Sequence, residues 1–321
     1  MRTFDGAAVD AALGYPALVD TLEAAFAKGA HAPPRQHHGI ALDGRPEATL
    51  LIMPAWEARK PGSGLAGRYM GVKSVTVFPD NDTRGKPAVL GTYLLLSAEN
   101  GDTLAVMDAT RLTAWRTAAA SALASRYLSR PDATRLLMVG AGALAPFLVR
   151  AHASVRPIRE VTVWNRSQAR AQALIAALAQ TGITATIVDD LAAAVSRADI
   201  VSTATLSSEP LVRGAWLRAG THLDCVGAFK PGMRETDDEV ARRARIFVDT
   251  RAGAFAEAGD ILQPLAAGVI GKEAVLGDLS ELCRGAVQGR RSAEEITLFK
   301  SVGASIEDLA AAIAVYEHHG P

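Results

Sequence analysis

The sequence has few cysteines and no excess of charge of either sign. Its two cysteines, Cys225 and Cys283, are too few for a disulfide framework and lack metal-ligand spacing, so we expect a reduced, cytoplasmic setting and no bound metal. Lys and Arg together number 34, and so do Asp and Glu. A balanced charge of this kind argues against nucleic acid or an anionic membrane as a partner.

Long hydrophobic runs are also lacking. No apolar run approaches the roughly 20 residues that cross a bilayer. The first residues, MRTFDGAAVDAALG, contain Asp5 and Asp10 and do not follow the basic-then-apolar order of a signal peptide. The chain is 49% hydrophobic, which is ordinary for a globular protein, and its 321 residues suit one large or two modest domains.

The first third of the chain is typical of an α+β unit. Residues 16–29 have helical spacing between Pro16 and Gly29, and the following PPRQHH stretch predicts a loop. Four apolar runs of strand length follow, at 49–56, 70–78, 90–98 and 103–109. Asn100-Gly101 between the last two predicts a hairpin.

From residue 111 onward, the pattern changes to alternating helices and strands. The Ala-rich stretch 111–129 predicts a helix that joins two domains. Strands are then predicted at 135–140, 161–165, 185–188, 199–205, 221–227 and 245–250, with helices between most of them. This alternation predicts a parallel sheet covered on both faces. Ser305-Ile306-Glu307-Asp308 has the pattern of a capping box, and we expect the final helix to pack back on the first unit.

The segment LLMVGAGALAPFLVRAH (136–152) has the form of a dinucleotide-binding turn. An apolar strand leads into Gly140-x-Gly142-x-x-Ala145, and a helix follows. The first Gly permits the turn, the second lets the backbone approach a pyrophosphate, and the small third residue lets helix and strand pack closely. A glycine turn without a ligand is the alternative, and the surrounding β-α units favour the nucleotide site.

The end of the next strand bears on the choice of nucleotide. NAD enzymes commonly place an acidic residue there to bind the ribose hydroxyls. This sequence has Asn165-Arg166-Ser167, with no acid to repel a 2′-phosphate and an arginine that can pair with one. The segment favours NADP(H), and the alternative is that Arg166 is a solvated arginine at a strand end.

Three basic residues of the first part of the chain are ambiguous from the residues alone. Alternation in MGVKSVTVF (70–78) places Lys73 on the face of Val75 and Val77. Such a lysine either reaches water from its strand or is desolvated with a lowered pKa. Arg35 follows Pro33-Pro34 in a stiff loop, and Arg116 begins the joining helix. A surface role is the ordinary interpretation for each.

Taken together, eight segments resemble the ornithine cyclodeaminase/mu-crystallin family. In chain order they are Arg35, GVKSVTVFPDN (71–81), RLTAWRTAAASA (111–122), VGAGALA (139–145), VWNRS (163–167), STATLSSEPL (202–211), HLDCVGAFKPGMRE (222–235) and FKSVGASIEDLA (299–310). The similarity runs from about residue 30 to 312. RTAAASA followed by VGAGxxA, with VGAxxPxxRE downstream, is a specific combination.

The resemblance implies an α/β fold in two domains and a homodimer. Residues 116–291 are expected to form a Rossmann domain, a doubly wound parallel sheet that binds NAD(P)(H). Residues 1–115 and 292–321 are expected to form an α+β domain for substrate binding and dimerisation. The substrate-binding residues are expected to be Arg35, Lys73 and Phe229, and Lys73 is also expected to be catalytic, beside the reacting carbon–nitrogen bond.

The resemblance also implies roles for a set of cofactor-binding residues. Arg116 and Thr117 are expected to meet the phosphates, Thr205, Val226 and Gly227 to line the nicotinamide side, and Ser301 to approach the cofactor. With the glycine turn and the second strand, the set is Arg116, Thr117, Gly140, Gly142, Ala143, Leu144, Asn165, Arg166, Ser167, Thr205, Val226, Gly227 and Ser301.

One departure from the family pattern narrows the expected function. This chain has Val226-Gly227-Ala228-Phe229. In the pattern of cyclodeaminases and the related alanine dehydrogenases, the matching segment looks like VGGD or IGAD. Phe229 cannot transfer a proton as their aspartate does, and members without that aspartate look like ketimine reductases. Asp224 is a candidate substitute that the sequence leaves open.

The expected function is therefore NAD(P)H-dependent reduction of small cyclic ketimines. The substrates are 1-pyrroline-2-carboxylate and 1-piperideine-2-carboxylate, the products are L-proline and L-pipecolate, and NADP(H) is favoured while NAD(H) is possible. Lys73 would supply or hold the proton on the imine nitrogen, and Phe229 would form an apolar wall. The alternatives are a cyclodeaminase or alanine dehydrogenase-type enzyme and a small-ligand binding protein of mu-crystallin type that holds NADPH.

Overall fold

The computed structural model describes residues 1–59 and 66–320, and within it the chain divides into two compact units. The first unit consists of residues 1–117 together with the C-terminal stretch from Ala304, and the second is Ala118–Gly303. The predicted domains had boundaries at 115 and 292. The second boundary differs most, because residues 297–300 form a strand inside the sheet of the second unit.

The elements are numbered in chain order. The first unit contains β1 (Arg2–Phe4), α1 (Gly6–Ala12), α2 (Tyr15–Lys28), β2 (Ala30–His31), β3 (Gln36–Ile40), β4 (Ala48–Ala58), β5 (Ala66–Val77), β6 (Val89–Ser97) and β7 (Thr103–Asp108). Helix α3 (Ala109–Leu128) begins in the first unit and continues into the second.

The second unit then alternates strands and helices. It contains β8 (Arg135–Val139), α4 (Ala145–Val155), β9 (Glu160–Trp164), α5 (Gln168–Ala179), β10 (Ala185–Ile187), α6 (Leu191–Arg197), β11 (Ile200–Thr203), β12 (His222–Cys225), α7 (Asp238–Arg243), β13 (Arg245–Val248), α8 (Arg251–Glu257), α9 (Gly259–Ala266), β14 (Val275–Asp278), α10 (Leu279–Cys283) and β15 (Thr297–Lys300). The final helix, α11 (Ser305–His318), belongs to the first unit, as the sequence predicts.

The sheet of the first unit is mostly antiparallel. Its strands lie in the order β1-β7-β6-β5-β4-β2, and β3 pairs along the same strand β4. The predicted hairpin at Asn100-Gly101 joins β6 to β7. The predicted PPRQHH loop is wrong in part, because residues 36–40 form β3 against residues 48–52. All five residues of β3 are exposed, so backbone pairing at a sheet edge, and not burial, makes this segment a strand.

One face of this sheet is covered and the other is open. Cross-strand register places Met53, Lys73, Tyr93 and Met107 in one row, and each is at most 3% exposed. Helix α11 contacts β4, β5 and β6 and also packs on α2. Residues of the opposite parity, such as Leu90 at 43% and Leu94 at 37%, are exposed. The alternation predicted for Lys73 is therefore observed, and the lysine lies on the buried face.

The sheet of the second unit is parallel throughout. Its order is β10-β9-β8-β11-β12-β15-β13-β14. β8, the first strand of this unit, pairs with β9 on one side and β11 on the other, which is the point where the strand order reverses. The predicted α/β fold with a doubly wound parallel sheet is confirmed. Its core includes Leu137, Val201, Leu223 and Leu298 from the central strands.

The predicted capping box at Ser305–Asp308 is wrong. Helix α11 has Ala304 at its N-cap position, and no side chain caps it. A capping box does occur at α10, where the Asp278 side chain accepts from Glu281 N and the Glu281 side chain accepts from Asp278 N. In α11 the acidic side chains at 307 and 308 instead bind basic residues of the first unit. Among the described residues, no helix is long and apolar enough to cross a membrane.

Candidate active site

The glycine turn after β8 has the backbone that the dinucleotide fingerprint requires. Gly140 adopts φ of +107°, and a Cβ at this position would lie 2.7 Å from the carbonyl oxygen of Ala204. Both facts exclude a larger residue. Ala204 follows β11, so this contact lies at the reversal point of the sheet, where doubly wound folds bind their ligands.

The rest of the turn leaves room for a ligand. A Cβ on Gly142 would meet no atom within 4 Å, and Gly142 and Ala143 are exposed. Leu144 is the N-cap residue of α4, with no side-chain cap bond, and Ala145 is fully buried against the sheet. A cavity beside the turn is lined by Ala141, Gly142, Ala143 and Pro146 and by Arg170, Ala173, Leu174 and Ala177 of α5. This arrangement fits a pyrophosphate at the start of α4.

The segment after β9 presents one exposed cation. Arg166 is exposed, and Asn165 and Ser167 are half-buried. The Asn165 side chain donates to the Ser167 carbonyl (2.9 Å), and the Ser167 hydroxyl accepts from Arg170 N (3.4 Å) as the N-cap of α5. The segment is therefore ordered by its own hydrogen bonds, while the guanidinium of Arg166 extends into solvent.

The residues expected on the nicotinamide side lie at the carboxyl ends of neighbouring strands. Val226 and Gly227 follow β12, and Thr205 follows β11. Val226 N donates to the Thr203 carbonyl (2.8 Å), and Ser301 N donates to the Cys225 carbonyl (3.1 Å), which ties Ser301 to the same edge of the sheet. Phe229, next along the chain, is 39% exposed and presents an apolar ring.

Asp224 does not occupy the place of the missing aspartate. Its side chain is fully buried and binds His152 Nε2 (3.0 Å) and the Ser202 hydroxyl (2.7 Å) inside the second unit. Burial raises the pKa of Asp224, but the hydrogen bonds from His152 and Ser202 and the charges of His152 and His222 together outweigh it and keep the pKa below its ordinary value. Asp224 is therefore part of an internal network in the core of the parallel sheet.

A second group of site residues surrounds Lys73 in the first unit. The ammonium of Lys73 lies 2.7 Å from Asp308 Oδ2 and 3.4 Å from the Thr113 hydroxyl. Arg116 donates from Nε to Asp308 (2.8 Å) and from Nη1 to Glu307 (2.7 Å). Lys73, Arg116 and both carboxylates are at most 5% exposed. Asp308 thus joins two buried cations.

The electrostatics of this cluster favour a lysine that titrates near neutrality. Burial lowers the pKa of Lys73, Arg116 lowers it further, Asp308 raises it, and the result is about 8. Burial would raise the pKa of Asp308, but Arg116 and Lys73 outweigh it and hold that pKa below its ordinary value. Asp308 is therefore ionised at neutral pH and favours the protonated form of Lys73.

Arg35 and Thr117 complete the predicted residues of the first unit. Arg35 is half-buried just before β3, and its positive charge lowers the pKa of Lys73, so the two cations lie within electrostatic range. Thr117, next to Arg116 in α3, is 7% exposed. The structure therefore brings Arg35, Lys73 and Arg116 together, whereas the sequence had assigned Arg116 to the cofactor phosphates.

Sequence reasoning missed Glu307 and Asp308. Both are fully buried and bind Arg116, and Asp308 also binds Lys73. Their only visible signal was the acidic pair in SIEDL, which also fits the start of an exposed helix. Two acids on a helix whose first eight residues are all buried require buried cations as partners, and that burial is visible only in the fold.

Comparison with known proteins decides the family. The chain matches the ornithine cyclodeaminase/mu-crystallin family over residues 6–320. The chain belongs to this family. A member from Paracoccus denitrificans, named Delta(1)-pyrroline-2-carboxylate reductase, is 42% identical over 291 residues, covering 90% of this chain and 89% of the relative. The family predicted from the sequence is confirmed.

Two solved structures of family members resemble the whole chain. The Thermococcus litoralis Delta(1)-pyrroline-2-carboxylate reductase, in complex with NADH and L-proline, has a TM-score of 0.90 and 32% identity, covering 99% of this chain and 97% of that one. An archaeal alanine dehydrogenase dimer with bound NAD has a TM-score of 0.88 and 33% identity, covering 99% and 95%. Both structures share the fold of this ornithine cyclodeaminase/mu-crystallin family protein.

Replacing Asp308 with Asn should lower the pKa of Lys73 below about 8, because Asp308 is the group that raises it against burial and Arg116. The change should also lower the free energy of unfolding by about 3–5 kcal/mol, since it leaves two buried cations short of a partner. A pH titration of the lysine ε-carbon signal by NMR measures the pKa, and denaturant unfolding measures stability. Asp43→Asn, in an exposed loop of the same unit, is the control. An unchanged or higher pKa of Lys73 would contradict the assignment.

Proposed function

We propose that this protein is an NAD(P)H-dependent reductase of cyclic ketimine carboxylates, with 1-pyrroline-2-carboxylate and 1-piperideine-2-carboxylate as substrates. The observation that carries the proposal is the buried Lys73, held by Asp308 beside two arginines, in a chain whose glycine turn fits a dinucleotide. The pyrroline-2-carboxylate reductases of Paracoccus and Thermococcus support the same chemistry, reduction of a carbon–nitrogen double bond.

The carboxylate of the substrate is the anion that Arg35 and Lys73 are suited to hold. An ammonium has three N–H donors. Asp308 and Thr113 are the two partners recorded for Lys73 Nζ among the described residues, and we propose that its third N–H binds the substrate. Arg35 adds a planar, permanently charged group that can bind a carboxylate with two hydrogen bonds. Orientation by two such contacts is a large part of what an enzyme contributes to this type of reaction.

Lys73 is also the proposed proton source. The imine nitrogen must carry a proton when the adjacent carbon is reduced, and with a pKa of about 8 the lysine is mostly protonated at neutral pH yet able to release its proton. Lys73 gives its proton to the imine nitrogen, directly or through a water that it holds, and recovers one from solvent. The nicotinamide cofactor, when bound, supplies the hydride.

Phe229 separates the proposed reaction from the amine chemistry of other family members. Oxidative deamination needs a group that moves protons to and from the amine and water, and a phenyl ring cannot do this. Asp224 is not a substitute, because His152 and Ser202 hold it inside the sheet. A cyclic imine arrives with its nitrogen in place, so no ammonia needs handling. We propose that the exposed ring of Phe229 packs on the methylenes of the substrate ring.

NADPH is the proposed preferred cofactor. The related structures hold NADH or NAD, so they support a nicotinamide cofactor in general. The preference for the phosphorylated form rests on two features of the segment 165–167 after β9. Arg166 is exposed, and none of the three residues is acidic. The cytoplasmic setting stays a prediction from the sequence.

We also propose that the protein is a homodimer that uses the open face of the first unit's sheet. This face carries a group of apolar side chains, namely Leu50, Ile52, Pro54, Val72, Leu90, Leu94 and Val106, as the register shows. Leu90 and Leu94 are 43% and 37% exposed, and they lie on the same outward face of β6 with Thr92 between them, so this face presents large apolar side chains to solvent. The archaeal alanine dehydrogenase is described as a dimer.

The reaction is tested by following the oxidation of NADPH and NADH at about 340 nm, the absorbance band of the reduced nicotinamide. We expect rapid oxidation with 1-pyrroline-2-carboxylate or 1-piperideine-2-carboxylate, and no reduction of NADP⁺ or NAD⁺ with ornithine or alanine. Reduction of the cofactor with the amino acids, and no oxidation with either imine, would favour a cyclodeaminase or alanine dehydrogenase instead. Cofactor binding without any turnover would favour a binding protein.

Lys73→Ala should abolish imine reduction and leave NADPH affinity nearly unchanged, because the ammonium serves the substrate and not the nucleotide. The expected loss in kcat is about 10²-fold or more, the size typical of removing a positioned general acid. Lys86→Ala, an exposed lysine of the same unit, is the control and should behave as the unaltered enzyme. Retention of most of the turnover by Lys73→Ala would show that another group delivers the proton.

Arg166→Ala should weaken NADPH binding far more than NADH binding, since only NADPH carries the 2′-phosphate. A loss of about tenfold or more in NADPH affinity is expected from removing one charged hydrogen-bond partner. Dissociation constants from cofactor fluorescence measure both. Arg159→Ala, at the opposite end of β9, serves as the matched arginine control. Equal losses for the two cofactors would rule out the role in 2′-phosphate recognition.

Leu94→Lys should convert the dimer to a monomer, because a charge in the middle of the open sheet face cannot be buried without a partner. Sedimentation equilibrium measures the mass directly. Ala24→Lys, on the exposed side of α2, adds the same charge elsewhere on the unit and should leave the dimer intact. A dimer that survives Leu94→Lys would place the interface elsewhere.

A further inference from the structure

The second unit contains a cluster of buried charges that the proposed reaction does not use. Lys300 at the end of β15, Asp260 at the start of α9 and Glu235 are each at most 1% exposed. Lys300 lies 3.4 Å from Asp260 Oδ2. Asp260 Oδ1 accepts hydrogen bonds from the backbone N–H groups of Glu235 (2.9 Å) and Thr236 (2.8 Å). We call these three side chains the buried charge triad.

Each end of the triad holds one of the two segments expected to line the nicotinamide. Glu235 Oε1 accepts from the backbone N–H of Thr205 (2.7 Å) and from its hydroxyl (2.8 Å), and Oε2 accepts from the Thr203 hydroxyl (2.8 Å). Lys300 donates from Nζ to the carbonyl oxygen of Gly227. The segments after β11 and β12 are thus bonded to opposite members of one charged cluster.

The two segments also fit closely against each other. A Cβ on Gly227 would lie 2.5 Å from Glu235 Oε1 and closer still to the Thr205 carbonyl oxygen. The next residue, Ala228, adopts φ of +51°, a left-handed conformation that costs energy for a residue with a side chain. Such a backbone persists only where its surroundings enforce it. The bond from Lys300 to the Gly227 carbonyl lies directly beside this strained position.

From these contacts we infer that Glu235, Asp260 and Lys300 are positioning residues for the nicotinamide half of the cofactor. They act through Thr205 and Gly227, fixing the distance between the two strand ends before the cofactor arrives. The inference rests on the proposed function, because it assigns the nicotinamide to these strand ends. Its rationale is preorganisation, since a site held in its binding conformation loses less entropy when the ligand binds.

The charge balance of the triad explains why all three members are needed. Burial raises the pKa of Glu235, Lys300 lowers it and Asp260 raises it, and the result is about 7. Cys225, also buried, is another titratable group near these acids. Without Lys300, two carboxylates would share a buried site without a cation, and one would take up a proton. A protonated Glu235 would lose an acceptor for Thr203 or Thr205, and that loop would no longer be held.

The test compares a whole cofactor with a fragment that lacks the nicotinamide. NADPH or NADH, whichever binds the unaltered protein more tightly, is measured beside 2′-phospho-ADP-ribose or ADP-ribose by titration calorimetry. Lys300→Met should weaken the whole cofactor by about tenfold or more and the fragment by less than about twofold, since the fragment uses only the glycine turn and the segment after β9. Lys272→Met, an exposed lysine of the same unit, should change neither.

A double variant separates positioning from stability. Lys300→Met with Asp260→Asn removes one positive and one negative charge, so the triad keeps its original net charge. This should recover much of the unfolding temperature, but the Gly227 carbonyl still lacks its donor, so affinity for the whole cofactor should stay low. If Lys300→Met does not fold, Glu235→Gln is used to compare the affinities for the whole cofactor and for the fragment. Glu294→Gln, at an exposed glutamate, is then the control.

Three results would overturn the inference. These are equal losses for cofactor and fragment, no loss for either, or recovery of cofactor affinity together with stability in the double variant. All of these measurements are made without an imine. If the unaltered protein binds neither nucleotide, the proposed function itself fails. If it binds NADPH or NADH and every variant binds equally well, only the positioning role fails.

Discussion

The ion pair between Lys73 and Asp308 is the interaction on which the proposed chemistry of the first unit depends. A lysine on the covered face of a sheet loses its hydration, and the cost is acceptable only when an anion and further hydrogen bonds replace the lost water. Asp308 provides the anion, and Arg116 in turn binds Asp308 and Glu307, so neither acid is left unpaired. The cluster also fixes the C-terminal helix on the sheet, because two of its buried residues are these acids. Loss of one partner would therefore affect the site and the packing of α11 together.

The buried charged side chains of the second unit have different hydrogen-bond partners. There the charged side chains lie under the carboxyl ends of the strands, and their hydrogen bonds go mainly to backbone groups and hydroxyls, as Glu235 does with Thr205. Such bonds fix loop conformation. The first unit pairs its lysine with a carboxylate and a hydroxyl, whereas the second uses its lysine on a main-chain carbonyl as well as a carboxylate. On the proposed function, similar residue types serve proton supply in one unit and geometry in the other.

Periodic features of the fold were accessible from the sequence, and non-local pairings were not. Period-2 alternation placed Lys73 on the same face as Val75 and Val77, and the strand-turn-helix pattern placed Gly140 at the start of the parallel sheet, because both signals are local. Whether Lys73 reaches water or is buried was left open, because that depends on the packing of α11. Asp308 was interpreted as a helix cap because a capping acid and a buried counter-ion have the same sequence pattern; only the packing of α11 on β4, β5 and β6 separates them. Strands β3 and β15 were missed for a related reason: the first is polar and exists through edge pairing, and the second is four residues long.

The arrangement around Lys73 is matched to a substrate that needs only one proton. Reduction of an imine adds a hydride to carbon and leaves nitrogen with the proton that activated it, so a single acid of suitable pKa suffices. With a pKa of about 8, Lys73 is mostly protonated at pH 7. Deamination would instead require a base for the amine and for an attacking water. This chain has Phe229 at the place where the pattern of cyclodeaminases and alanine dehydrogenases has an aspartate. On the proposed function, the absence of that carboxylate and the presence of a buried, acid-supported lysine are two aspects of one specialisation, in which the protein protonates and orients a preformed imine and leaves ammonia out of the reaction.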